Sequence, residues 1–247
     1  MQDNKKLNMF YEYLPTYGEA LLGILLKDRT TNQNIIWATN DYLKLSDMYK
    51  AENEISKHHL QGNVKKYIKP RTAKSYKEQN GRTKYRAEVF TPSWVCNKQN
   101  NLIDEQWFGR KNVFNTQFNK TWISNPDIII FPDKKGRAWN DYVDARRMEI
   151  TCGEAPYLVS LYDPVTGDGI ELKSRIGLLD RKLRVVTENT NNEEEWLKWA
   201  ERAFQSIYGY ELQGDNLLLA RQNLLYTFVD NVRENLKREP SLRELKR

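Results

Sequence analysis

The chain has 247 residues, of which 39% are hydrophobic, 12% aromatic and 29% charged, a balance that belongs to globular proteins and excludes fibrous, low-complexity and wholly disordered classes. Thirty-nine lysines and arginines stand against 33 aspartates and glutamates, a formal net charge of +6 that suits a polyanionic partner without requiring one. No apolar run approaches the roughly 20 residues that span a bilayer, and Met1–Lys6 lacks the apolar core of a signal peptide, so the expectation is a cytoplasmic protein with no membrane partner.

Taken in chain order, Ala20–Leu26 predicts a helix and Asn34–Ala38 a strand. From Asn63 to Tyr85 the chain turns polar and basic, with Pro70 and Gly81 as breakers. This places a boundary near Gly81, dividing the chain into an N-terminal accessory segment (1–81), basic toward its end, and a second domain (82–247). Lys65, Lys66, Lys69, Arg71 and Lys74, interleaved with Tyr67 and Tyr76, are the candidate phosphate contacts, because cations neutralise backbone charge while tyrosines stack or donate.

Beyond the boundary, Thr91-Pro92-Ser93 predicts a helix start, with serine or threonine as cap and proline in the first turn. Ile128–Phe131 reads as a short buried strand. A second strand, Arg147–Thr151, runs into the small-residue turn Cys152-Gly153-Glu154-Ala155-Pro156 and then an apolar stretch, a strand–loop–helix signature. Trp196, Trp199, Ala200, Ala203 and Phe204 fall near helical spacing, Ile207–Glu211 predicts a strand ending in an acid, and Asn216–Val229 a further helix. Such alternation predicts an α/β fold with a parallel sheet, whose ligands gather at the carboxyl ends of the strands.

On that reading, Glu149 and Gly153 mark one strand end, where glycine lets the backbone approach a ligand. Glu211 marks another, where nucleotide-binding sheets hold ribose hydroxyls. An ordinary strand-to-helix turn and a surface glutamate give the same pattern. Cys96, Cys152, His58 and His59 are the right residue types for zinc, but neither CxxC nor HxxxH spacing is present, and no metal is expected.

Three stretches carry a family resemblance. Met148–Ser160 resembles the first AdoMet-binding motif of adenine-specific DNA methyltransferases from restriction-modification systems, with acid, cysteine, glycine, aromatic and leucine in step. Upstream, Glu88–Cys96 resembles the Phe-Thr-Pro motif of the same family, and downstream Tyr208–Leu224 is similar to its stretch with the ribose-holding acid. The resemblance implies a partial Rossmann-like methyltransferase sheet and S-adenosyl-L-methionine (AdoMet) as cofactor. Phe90, Thr91 and Pro92 would line its methionine end, Glu149, Thr151 and Gly153 its amino-acid and turn side, and Glu211 the ribose. Double-stranded DNA would be the partner.

Departures from the pattern are equally specific. Ala155 stands where the family has a second glycine, and Pro156 follows it. The catalytic tetrapeptide, asparagine or aspartate followed by Pro-Pro and an aromatic, occurs nowhere in the sequence. Since that element holds the flipped adenine, no catalytic residue is assigned. The chain reads as cut short, and a second chain or subunit would have to supply the tetrapeptide. Two other readings compete: a non-catalytic module that binds DNA or protein, and a Mg-dependent nuclease built on Pro126-Asp127 and Glu171-Leu172-Lys173, where carboxylates would bind the ion.

Overall fold

The structure, a computed structural model, describes residues 20–60 and 68–246. Residues 20–26 are helical. They are followed by α1 (Tyr76–Arg86), α2 (Ser93–Phe108), the strands β1 (Asn115–Phe118) and β2 (Thr121–Ser124), α3 (Trp139–Asp144), β3 (Arg147–Ile150), α4 (Leu178–Asn189), α5 (Glu193–Gln205), β4 (Ile207–Tyr210), α6 (Gly214–Leu236) and α7 (Leu242–Leu245). The fold is mixed α/β. Its strands form two small sheets, an antiparallel β1–β2 hairpin and a parallel β3–β4 pair.

Parallel neighbours need a crossover connection, and here α4 and α5 provide it. Both helices are amphipathic. Leu179, Leu183, Val185 and Val186 of α4 and Trp196, Ala200 and Ala203 of α5 enter one core with Tyr142, Val143, Cys152 and Leu158. Asn192 caps α5 by accepting from the Glu195 amide, and three glutamates in the first turn complement the positive end of the helix. Beneath the sheet, the buried Lys182 ammonium donates to the Val143 carbonyl at 2.9 Å and to the Ser206 hydroxyl, tying the end of α3 to the start of β4.

Residues 20–60 wrap around Trp37, whose indole meets the rings of Tyr42, Tyr49 and His59. This second core closes on Leu218 and Leu219 of α6, so it is shared across the boundary expected at Gly81. Gly81 itself lies inside α1, which begins with a reciprocal Ser75–Glu78 capping box and buries Arg82. A capped helix tolerates one glycine at about 1 kcal/mol, and the contacts of Arg82 outweigh that cost.

Four other local expectations are corrected. Ile128–Phe131 is not a strand: Ile128 and Ile130 are exposed, and only Ile129 is buried. Asn34–Ala38 forms isolated bridges, Asn34 with Lys27 and Ile36 with Glu54, instead of a strand in a sheet. Residues 154–160 are turn and loop, and the helix after β3 begins only at Leu178. Nor does a serine or threonine side chain cap α2: its first amide, that of Ser93, donates to the Asp163 carboxylate at 2.8 Å.

α6 starts in a confined place. The Gly214 amide donates to the Trp37 carbonyl at 3.0 Å, and a Cβ at Gly214 would stand 1.9 Å from the Ile36 carbonyl oxygen. Backbone cannot yield as a flexible side chain does, so Gly214→Ala is expected to destabilise the protein by about 1–3 kcal/mol, a drop of several degrees in Tm. An unchanged thermal melt would refute this close approach.

Candidate functional site

Alternation along β3 turns Met148 and Ile150 outward and Glu149 inward. The register pairs Glu149 with Gly209, and a Cβ at Gly209 would press on Cys152 Sγ at 3.2 Å and Leu158 Cδ1 at 3.3 Å. Beyond the last paired residues the Cys152 amide still donates to the Tyr210 carbonyl at 2.9 Å, which keeps the two strand ends together as the chain leaves the sheet.

The loop after β3 is bent by three left-handed residues, Thr151 (φ 54°), Gly153 (φ 54°) and Ala155 (φ 65°). Glycine takes this conformation freely, whereas threonine and alanine are strained in it. The bend turns successive amides toward the two acids. The Gly153 amide donates to Glu211 Oε2 at 2.7 Å, and the Tyr157 and Leu158 amides to the two Glu149 oxygens at 3.4 and 3.3 Å. Burial pushes the Glu149 carboxyl up to about 8; the two amides oppose the shift and the Glu211 charge adds to it. Burial likewise pushes the Cys152 thiol up to about 12, helped by Glu149 and Glu211, so this cysteine is no ready nucleophile.

Phe90 packs against the loop after β3 from another side. A Cβ at Gly153 would lie 3.4 Å from Phe90 Cζ, so the ring packs beside the glycine within van der Waals reach. The Arg71 guanidinium also stands over this ring, 5.4 Å from its centroid. Glu149, Gly153, Phe90 and Glu211 are thus brought together from three separate stretches. Thr91 and Pro92 follow Phe90 half-buried, Pro92 immediately preceding α2. Thr151 is exposed at the rim, with its hydroxyl donating to the Ile150 carbonyl at 2.6 Å.

The basic candidates behave differently. Lys65 and Lys66 lie outside the described residues. Lys69 pairs with Glu78 at 3.5 Å. Lys74 needs correction as a phosphate contact, because it is buried, whereas Arg71 is half-buried and makes internal hydrogen bonds. The Arg71 amide donates to Glu154 Oε1 at 2.7 Å and its guanidinium to the Glu88 carbonyl at 3.3 Å. Lys74 is buried, 3.9 Å from Asp215.

Around Lys74 lies a cluster that motif reading missed. Arg82 pairs with Glu88 at 2.6 Å, Asp215 at 2.9 Å and Asp41 at 3.1 Å, and the Tyr42 hydroxyl donates to Asp215 at 2.6 Å. Although burial disfavours its charge, Arg82 and Lys74 hold the Asp215 carboxyl below its ordinary range. Glu154, fully buried, is instead raised by burial despite a hydrogen bond from Tyr162 and the nearby Lys74. Glu88, Glu154 and Asp215 stand two residues before Phe90, one after Gly153 and four after Glu211. The sequence signal was there: each stretch carries a second acid close to its first landmark.

The residues of the nuclease pattern, Asp127, Glu171 and Lys173, are all exposed, and among the described residues no group of three or more histidines, cysteines, aspartates or glutamates is arranged to hold a metal ion. Among these residues, too, no helix is long and apolar enough to cross a membrane. The chain matches no known protein-family model, no curated protein and no solved structure.

Proposed function

We propose that this chain is the AdoMet-binding portion of a DNA adenine methyltransferase of a restriction-modification system, working on double-stranded DNA in the cytoplasm. The observation that carries the reading is the hydrogen bond from the Gly153 amide to Glu211. It brings the glycine turn and the second acidic strand end together beside Glu149 and the Phe90 ring. A nucleoside with a cationic amino-acid tail suits that set. Glu149 supplies a carboxylate for an ammonium, the Phe90 ring an apolar wall, and Glu211 two oxygens for vicinal hydroxyls once it releases the Gly153 and Gln213 amides. AdoMet would supply the transferable methyl group, and the residues named here bind and orient it without touching the target base.

Methyl transfer then depends on a further segment or subunit that brings the Asn/Asp-Pro-Pro-aromatic element. The outward face of the β3–β4 pair leaves room for one: Met148, Ile150, Tyr208 and Tyr210 are 41 to 66% exposed, although parallel strands are ordinarily covered on both faces.

Calorimetric titration with AdoMet tests the reading. Wild type is expected to give binding heat, and Glu211→Ala to weaken affinity at least about tenfold, the loss of a charge-assisted hydrogen bond. Absence of heat from the wild type, at protein concentrations suited to weak binding, removes the cofactor. Salt-sensitive DNA binding without that heat would instead favour the non-catalytic module.

A further inference from the structure

We propose that the groove between α2 and the β1–β2 hairpin binds a single-stranded stretch of DNA, with an unstacked base on Trp94 and the flanking phosphates on Lys98 and Lys111. The groove, open to solvent along one side, offers about 440 Å³, within the roughly 300–1,000 Å³ typical of ligand sites. Trp94, Lys98, Asn101 and Glu105 succeed one another at spacings of four, three and four, so they share one face of α2. Opposite stands the hairpin, joined to the helix by the Gln117 side-chain amide, which donates to the Trp94 carbonyl at 3.0 Å.

The chemistry of the lining favours nucleotides. Trp94 is half-buried, and among the described residues no other ring packs on it, which leaves its indole open for stacking. Lys98 is exposed, with no ion partner among the described residues, and Lys111 is exposed with only a loose contact to Glu105 at 3.8 Å. Primary amides fill most of the remaining wall; those of Asn112 and Asn119, at left-handed positions beside the groove, are exposed to solvent. Amides carry a donor and an acceptor together, which is what base edges present. Aromatic stacking combined with lysines along a backbone is the usual make-up of a single-strand site.

Position adds a further argument. Trp94 sits four residues after Phe90, on the first turn of α2, so the same short stretch of chain contributes to the groove and packs against Gly153. An enzyme that takes its target base out of the duplex leaves neighbouring nucleotides locally unstacked, and the groove would receive them. In that respect the proposal rests on the methyltransferase reading, though its test does not.

Fluorescence anisotropy of a labelled, mixed-sequence single-stranded oligonucleotide, with and without an unlabelled duplex of the same sequence as competitor, reads the site directly. Wild type is expected to bind in a salt-dependent manner and to prefer the single strand. Trp94→Ala should weaken binding by roughly five- to hundredfold, the value of one base stack, while Trp94→Phe retains most of it. Lys98→Ala combined with Lys111→Ala, two exposed positions whose loss leaves the core untouched, should weaken binding and flatten its salt dependence. Unchanged affinity in this double variant, or a duplex that competes as well as the single strand, overturns the proposal. Parallel AdoMet titrations separate the two readings: heat without groove-dependent DNA binding defeats the groove alone, and groove-dependent binding without heat defeats the cofactor alone.

Discussion

Arg82→Met is expected to destabilise the protein by about 3–5 kcal/mol, the usual penalty for removing one partner of a buried charge cluster. Arg82 is 5% exposed, and its guanidinium is the cation shared by Glu88, Asp215 and Asp41. Methionine preserves most of the volume, so the loss is electrostatic: Asp215, with no solvent exposure, retains only the more distant Lys74 and the Tyr42 hydroxyl. Urea denaturation measures the change. Adding Asp215→Asn to Arg82→Met removes the stranded charge and should restore part of the stability, giving a non-additive double-mutant cycle. Additive losses would show that the two side chains act independently.

The same cluster explains why a change at Arg82 should reach the candidate cofactor site. Glu88 precedes Phe90, Asp215 follows Glu211, and Lys74 lies close enough to Glu154 to act on its charge, so each stretch that contributes to the site is anchored on the cluster by one acid. AdoMet affinity, measured on the fraction of Arg82→Met that remains folded, is therefore expected to fall although Arg82 is no part of the site.

Legibility in the sequence followed range. Helices whose apolar residues recur at helical spacing, such as α5 and α6, were plain, as were β3 and β4, where alternation and an acidic end coincide. Ile128–Phe131 misled because an apolar run has no period: Ile129 alone turns inward, its amide held by Glu188 at 2.8 Å, and the neighbouring isoleucines face solvent. The meeting of Glu149, Gly153 and Glu211 could be anticipated, since a parallel pair brings strand ends together. What could not be anticipated was the fate of the basic stretch. Lysines and arginines in a polar run suggest a solvated surface, and only long-range partners such as Asp215, 141 positions after Lys74 (215 − 74), turn Lys74 inward. Propensity and spacing carry no information about partners that distant.

Glu149→Gln should alter stability in opposite senses at low and high pH and abolish the pH dependence of cofactor binding. In the folded protein the Glu149 carboxyl is raised to about 8 from the ordinary 4.5, burial being the main cause. A raised acid favours folding while it is protonated. Its contribution is fully present below about pH 4.5 and is lost as pH climbs through 8, at up to about 1.4 kcal/mol per unit between those values. Glutamine has no proton to lose, so this part of the pH slope disappears. The variant should be more stable than wild type at pH 9, by an amount of the order of several kcal/mol. Below pH 5 it should be slightly less stable, because its NH2 group cannot accept from both the Tyr157 and Leu158 amides. Binding carries the complementary signature. At pH 7 the empty site holds Glu149 mostly protonated, and an ammonium ligand requires the carboxylate, so binding expels close to one proton. Wild-type AdoMet affinity should therefore rise with pH by up to roughly tenfold per unit below about pH 8, fall again at higher pH as the ligand's own α-ammonium is deprotonated, and show heats at pH 7 that differ between buffers of unlike ionisation enthalpy. Equal heats in the two buffers, with binding otherwise intact, would mean that Glu149 does not meet the cationic end of the ligand.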